Sequence, residues 1–308
     1  MTLVPQAQEF LDRLHALELP PFETLDAATQ REIFNGPTED GAEPTPVHSV
    51  AAQTFPGPVG PVPVRIYRPS DGSNLPAVIF FHGGGWVIGN LDSHDNLCRA
   101  MCSAMNAVVV SVAYRLAPED VFPAAIDDSD AAVAWVAASA AELGIDGSRI
   151  SVAGDSAGGN LAAAAAVTAR DNGLALAAQL LIYPACNLHE PRTASYHENA
   201  EGYLLSSAWM DWFVATYAGG AEVTQDPRFS PALASSHEGL APALVITAEY
   251  DPLRDDGERY AAALHAAGVP TELVRFHGQV HGFANQVGVM DDADNAVQAM
   301  TAFVAKHS

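Results

Sequence analysis

From Pro76 onwards, short and nearly unbroken apolar runs alternate with longer Ala-rich segments. The runs fall at 77–81, 107–112, 150–153, 179–183 and 243–247, and 271–276 is the last predicted strand. Runs of this length, apolar on both sides, fit strands covered on both faces. The segments at 92–105, 122–143, 157–171 and 253–267 read as the helices between them. That alternation predicts an α/β fold: a mostly parallel central sheet with helices on both faces.

Before Pro76 the pattern differs. Phe10, Leu11, Leu14 and Leu17 fall at helical spacing, Pro20-Pro21 stops that helix, and a second runs over 25–34. A Pro-rich stretch follows, with β-like pieces at 47–55 and 62–68 that suit a hairpin at a sheet edge. The later alternation breaks once, at 184–224. This insertion carries a helix over 206–217 with Trp209, Trp212, Phe213 and Tyr217. Residues so rich in aromatics pack on something, so 1–46 and 185–224 are expected to form a helical cap. The sheet domain would then comprise 47–184 and 225–308.

Composition narrows the setting. The 308 residues carry a formal charge of -23, from 37 acidic and 14 basic side chains, and the one lysine is Lys306. Such a surface repels nucleic acid and anionic membranes, so neither is an expected partner. The excess serves solubility, or tolerance of high salt, where screening relieves self-repulsion. The three cysteines, Cys98, Cys102 and Cys186, do not read as a disulfide framework. Residues 1–10 show no basic and apolar signal, and no run approaches the roughly 18 apolar residues of a membrane span. The expected location is the cytoplasm.

Chemistry concentrates in a few places. Gly154-Asp155-Ser156-Ala157-Gly158-Gly159 matches G-x-S-x-G between a predicted strand and helix, the context of a nucleophile elbow rather than an ordinary Gly-rich helix start. His82-Gly83-Gly84-Gly85-Trp86 follows another strand. Its glycines leave amides open to an oxyanion. A phosphate loop is the alternative, but no G-x-x-x-x-G-K pattern or nearby lysine supports it. A serine nucleophile needs a base and an orienting acid, in the order Ser, Asp or Glu, His. Asp251 and His281 both follow strands at the same sheet end. On spacing, Asp255 and His277 remain rivals. Gly278 and Gly282 argue against a helical H-x-x-x-H zinc pair, and neither a metal nor a cofactor is expected. Arg115, paired with a carboxylate, would brace the loop above the sheet. Trp86 either lines an acyl pocket or seals its loop against the core. Asp155, Trp212 and Phe213 are further candidates for contact with substrate.

Five stretches together resemble the hormone-sensitive-lipase-like esterases, family IV of the bacterial lipolytic enzymes. They are HGGGW at 82–86, YRLAPE at 114–119, GDSAGG at 154–159, DPLRD at 251–255 and HGF at 281–283, with Leu19-Pro20-Pro21 also fitting. The resemblance spans nearly the whole chain. It implies the α/β-hydrolase fold, a triad of Ser156, Asp251 and His281, and oxyanion donors at the amides of Gly84, Gly85 and Ala157. It also implies hydrolysis of small carboxylic esters, membership of the GDSAG branch, and homodimers through the last strand. Amidase or deacetylase activity would use the same site. Gibberellin receptors, which bind without catalysis, resemble this family but lack the histidine that is here His281.

Overall fold

The computed structural model describes residues 2–36, 43–189 and 191–307. Positions 37–42 and 190, inside the two expected cap segments, lie outside the described residues, as do Met1 and Ser308. Eight strands form one sheet: β1 (Ser49–Pro56), β2 (Pro61–Arg68), β3 (Leu75–Phe81), β4 (Val108–Val112), β5 (Ile145–Asp155), β6 (Ala178–Ile182), β7 (Ala243–Tyr250) and β8 (Thr271–Val280). Their spatial order is β1-β2-β4-β3-β5-β6-β7-β8. β1 and β2 form the expected edge hairpin, paired from Ser49↔Arg68 to Pro56↔Pro61, and β2 runs antiparallel to β4. The other pairings are parallel.

Strand alternation divides the apolar runs between two cores. Ala77, Ile79 and Phe81 face one; Val78 and Phe80 face the other. Helices α4 (Ala124–Ala138), α5 (Ala157–Asp171) and α8 (Arg254–Ala266) cover the first face. The second is covered by α3 (Asp95–Met105) and by α9 (Asp291–His307), which the strand-and-helix pattern above does not include. α9 buries Ala293, Ala296, Val297, Met300, Phe303 and Val304, a spacing of three and four residues.

Two strands outrun their apolar signal. β5 begins at Ile145, in a polar stretch that pairs beside a register shift opposite Leu75. β8 continues to Val280 because an edge strand is held by pairing on one side and needs no continuous apolar run. His277 therefore lies within a strand rather than after one.

The remaining helices gather at the carboxyl end of the sheet. They are α1 (Pro5–His15), α2 (Ala27–Phe34), α6 (Ala194–Glu198) and α7 (Ser207–Ala218). Asp26 caps α2 by accepting the Thr29 amide at 2.8 Å, and Ser206 caps α7 by accepting that of Trp209 at 3.0 Å. The N-terminal helices and the insertion meet at Trp209. Its ring lies 4.6 Å from Phe22 and 5.2 Å from Phe34, and its indole N–H donates to buried Gln30 at 2.9 Å.

Candidate active site

Ser156 occupies the turn between β5 and α5 with φ 55° and ψ -118°, a left-handed conformation unusual for a residue with a side chain. The residues two before and two after it are glycines because nothing larger fits. A Cβ on Gly154 would run into the Gly158 carbonyl, and one on Gly158 into the carbonyl of Phe81. The Ser156 amide donates to Ile182 at 2.8 Å, which ties the turn to β6. Strain of about 1–3 kcal/mol at such a residue persists only where the surroundings fix it.

The loops after β7 and β8 bring the partners. His281 Nε2 lies 2.9 Å from Ser156 Oγ, and His281 Nδ1 lies 2.7 Å from Asp251 Oδ2. Asp251 is fully buried, and its other oxygen accepts the Leu253 amide at 2.8 Å. With both carboxylate oxygens engaged, the natural tautomer places the proton on Nδ1 and leaves Nε2 to accept from the serine hydroxyl. Tyr183 packs its ring 4.6 Å from that of His281. The rivals are occupied elsewhere. The His277 imidazole is 59% exposed and faces Glu249 at 3.5 Å. Asp255 accepts the Ser195 amide and pairs with Arg254, each at 2.9 Å.

Opposite stands the Gly-rich loop. Gly84, Gly85 and Trp86 have φ of 114°, 59° and 60°, and the turn closes where Val87 and Ile88 donate to the Gly84 carbonyl at 3.0 and 2.9 Å. A Cβ on Gly85 would enter the Phe213 ring. Gly84, Gly85 and Ala157 all border the cavity into which Ser156 opens. Ala157 opens α5, where the amide has no intrahelical acceptor and the helix dipole favours negative charge.

That cavity measures about 480 Å³. Leu14, Phe34, Trp209, Met210 and Phe213 from the helices above the sheet form its apolar side. Of the expected substrate contacts, Phe213 is in this wall. Trp86 is not: it is fully buried and stacks on Tyr217 at 4.7 Å and near Phe229, sealing the loop against the core. Trp212 also lies outside the lining and meets Phe213 edge-on at 5.4 Å. Its place on α7 turns the face carrying Trp209 and Phe213 inwards instead.

Asp155 borders the cavity, but its carboxylate is turned to the protein. It accepts the Gly83 amide at 2.7 Å and lies 3.1 Å from His94 Nε2. Burial alone would raise its pKa. The nearby His94 imidazole and hydrogen bonds from His94 and Gly83 outweigh that and hold the carboxyl low. Ser93 Oγ in turn contacts His94 Nδ1 at 2.9 Å. Nothing in the sequence marks His94, since a lone histidine before a helix has no spacing to read.

A strained serine between strand and helix, chained to a histidine and a buried carboxylate on this sheet, defines an α/β hydrolase. The family described as "alpha/beta hydrolase fold" matches residues 78–285. The chain belongs to the hormone-sensitive-lipase-like family of α/β hydrolases. It is 48% identical over 240 residues to carboxylesterase NlhH of Mycobacterium tuberculosis, covering 76% of this chain and 75% of NlhH. It is 45% identical to carboxylic ester hydrolase LipN of the same organism, over 75% of this chain and 63% of LipN. A hyperthermophilic esterase from the archaeon Pyrobaculum calidifontis superposes with a TM-score of 0.93 at 42% identity, over 99% of each chain.

Proposed function

We propose that the chain is a serine carboxylesterase of the family's GDSAG branch, acting on short- to medium-chain esters through an acyl-enzyme. The contact that carries this reading is Ser156 Oγ to His281 Nε2, at 2.9 Å inside a mostly apolar cavity. The names of the relatives support ester hydrolysis. In the first step Ser156 Oγ attacks the ester carbonyl carbon while His281 Nε2 takes the hydroxyl proton. The carbonyl oxygen becomes an oxyanion held by the amides of Gly84, Gly85 and Ala157. Asp251 stabilises the imidazolium. The tetrahedral intermediate then collapses, its C–O bond breaks, and His281 returns the proton to the departing alkoxide. Water attacks the acyl-enzyme by the same route and releases the acid.

The helices of 1–46 and 185–224 act as the cap in this reading and set the length of the pocket. The protein works in the cytoplasm as a homodimer through β8, whose segment 271–276 lies at the sheet edge with Leu273 45% exposed. Among the described residues no helix is long and apolar enough to cross a membrane. Fluorophosphonate labelling tests the reading, because only an activated serine reacts. Stoichiometric labelling that disappears in Ser156→Ala supports it. An unlabelled parent protein would make the chain a binding module on this fold.

A further inference from the structure

Helix α2 does more than roof the cavity. Its Arg31 sends Nε to the Val87 carbonyl and Nη2 to the Ala117 carbonyl, both at 2.8 Å. Nη1 donates to Glu119 at 2.8 Å, and Nη2 is shared with the other Glu119 oxygen at 2.7 Å. Ala117 itself donates to the Trp86 carbonyl at 2.9 Å. Four residues on, at the C-cap of α2, Asn35 Oδ1 accepts the Gly89 amide at 2.7 Å, and the Asn35 carbonyl accepts from Asn90 at 3.2 Å. The attachments at Trp86 and Val87 fall inside the turn closed on the Gly84 carbonyl, and those at Gly89 and Asn90 follow it directly, while Gly84 and Gly85 of the same turn border the cavity. Ala117 and Glu119 belong to YRLAPE, for which the reaction itself offers no role.

We propose that Arg31 and Asn35 are positioning residues that hold the amides of Gly84 and Gly85 at the oxyanion, so that α2 belongs to the transition-state machinery. This rests on the serine-esterase reading. The alternative, that Arg31 merely docks the cap through its ion pair, is weaker on physical grounds. The Glu119 side chain is 60% exposed, and such pairs contribute little. The bonds to the two carbonyls are charge-assisted and only partly exposed; the one to Val87 ends on the loop itself, and the one to Ala117 reaches it through the Ala117 bond to Trp86. An oxyanion interacts with its donors most strongly in the transition state, so a loosened loop loses kcat more than substrate affinity.

Four variants separate the possibilities: Arg31→Met, Asn35→Ala, Glu119→Gln, and the charge reversal Arg31→Glu with Glu119→Arg. Each is assayed for kcat and KM on p-nitrophenyl butyrate per fluorophosphonate-titrated site. The Ki of a trifluoromethyl ketone, whose adduct with Ser156 carries the oxyanion, is measured alongside. Arg31→Met and Asn35→Ala should each lower kcat by about 10- to 100-fold, with KM little changed and the ketone Ki rising by the same factor as kcat/KM falls. Glu119→Gln should stay within about threefold of the parent, and the charge reversal should be as slow as Arg31→Met. If Arg31→Met does not fold, Asn35→Ala decides. Unchanged kcat per titrated site, a ketone Ki that stays constant, or recovery of rate on charge reversal would each reduce the contacts to cap docking and overturn the inference. A parent enzyme that does not label at all fails at the earlier step, the serine-esterase reading, and takes this inference with it.

Discussion

Ser156, His281 and Asp251 form one hydrogen-bonded chain, so losing any member removes a function the others cannot supply. Ser156→Ala and His281→Ala should lower kcat by about 10⁴ or more, while His277→Ala, on an exposed strand position, should stay near the parent. A dead His277 variant beside an active His281 variant would reverse the assignment of the base. A second residue-scale expectation concerns Asp256, which accepts the amides of Cys186 at 2.7 Å and Asn187 at 2.9 Å. Burial outweighs those hydrogen bonds and pushes its carboxyl up to about 7. The folded state thus keeps a proton that the unfolded chain has released across the window from about pH 4 to about pH 7. Because the folded state binds more protons there, this carboxyl makes stability fall as pH rises. Asp256→Asn cannot titrate, so its stability relative to the parent should improve between pH 5 and pH 8, with the gain lying below about pH 7. Urea titrations at the two pH values check this, and a constant difference between the proteins would contradict it.

At the scale of elements, the site depends on how closely β3, β5 and α5 approach. The glycines of G-x-S-x-G are required here less for flexibility than for absence of bulk. Gly158→Ala places a methyl group against the Phe81 carbonyl, which is backbone and cannot rotate away. The substitution should destabilise the fold by about 1–3 kcal/mol and lower kcat by moving Ser156. Thermal unfolding and active-site titration would show both, and a variant with the parent's midpoint and rate would mean the elbow relaxes freely. β8 carries the other expectation at this scale. Its segment 271–276 is the last in the sheet order, and an edge strand offers backbone groups for pairing, so light scattering at micromolar concentration should give twice the 32.3 kDa chain mass. A monomer mass removes the proposed dimer.

Over the whole molecule, the cavity lies between a sheet that supplies the chemistry and helices from two distant parts of the chain. Trp209 is anchored through Gln30, and α2 is anchored to the Gly-rich loop, so the roof is tied down. Each methylene of an acyl chain gains about 0.8 kcal/mol only while it can be buried, and about 480 Å³ must hold both halves of the ester. We expect kcat/KM to peak at acyl chains of about four to eight carbons and then to fall, without a rate jump above the substrate's solubility limit. A profile still rising at palmitoyl esters, or such a jump, would indicate a mobile lid and a lipase.

The sequence by itself determined the parallel sheet, because runs apolar on both faces have no other stable home. It also supplied Ser156 and the Gly-rich loop, because their constraints are local: a turn with no room for side chains must be written in consecutive residues. The chain's own spacing left His281 against His277, and Asp251 against Asp255, unresolved. Only the ends of β7 and β8, set by pairing across the sheet, put His281 beside Ser156 and Asp251 beside His281. The same applies to Trp86, Trp212 and Asp155. An aromatic or an acid next to a motif looks like a substrate contact, but which face it turns to the cavity is fixed by packing. Arg31, Asn35 and His94 went unmarked because their partners lie on other elements and their value arises from tertiary contact.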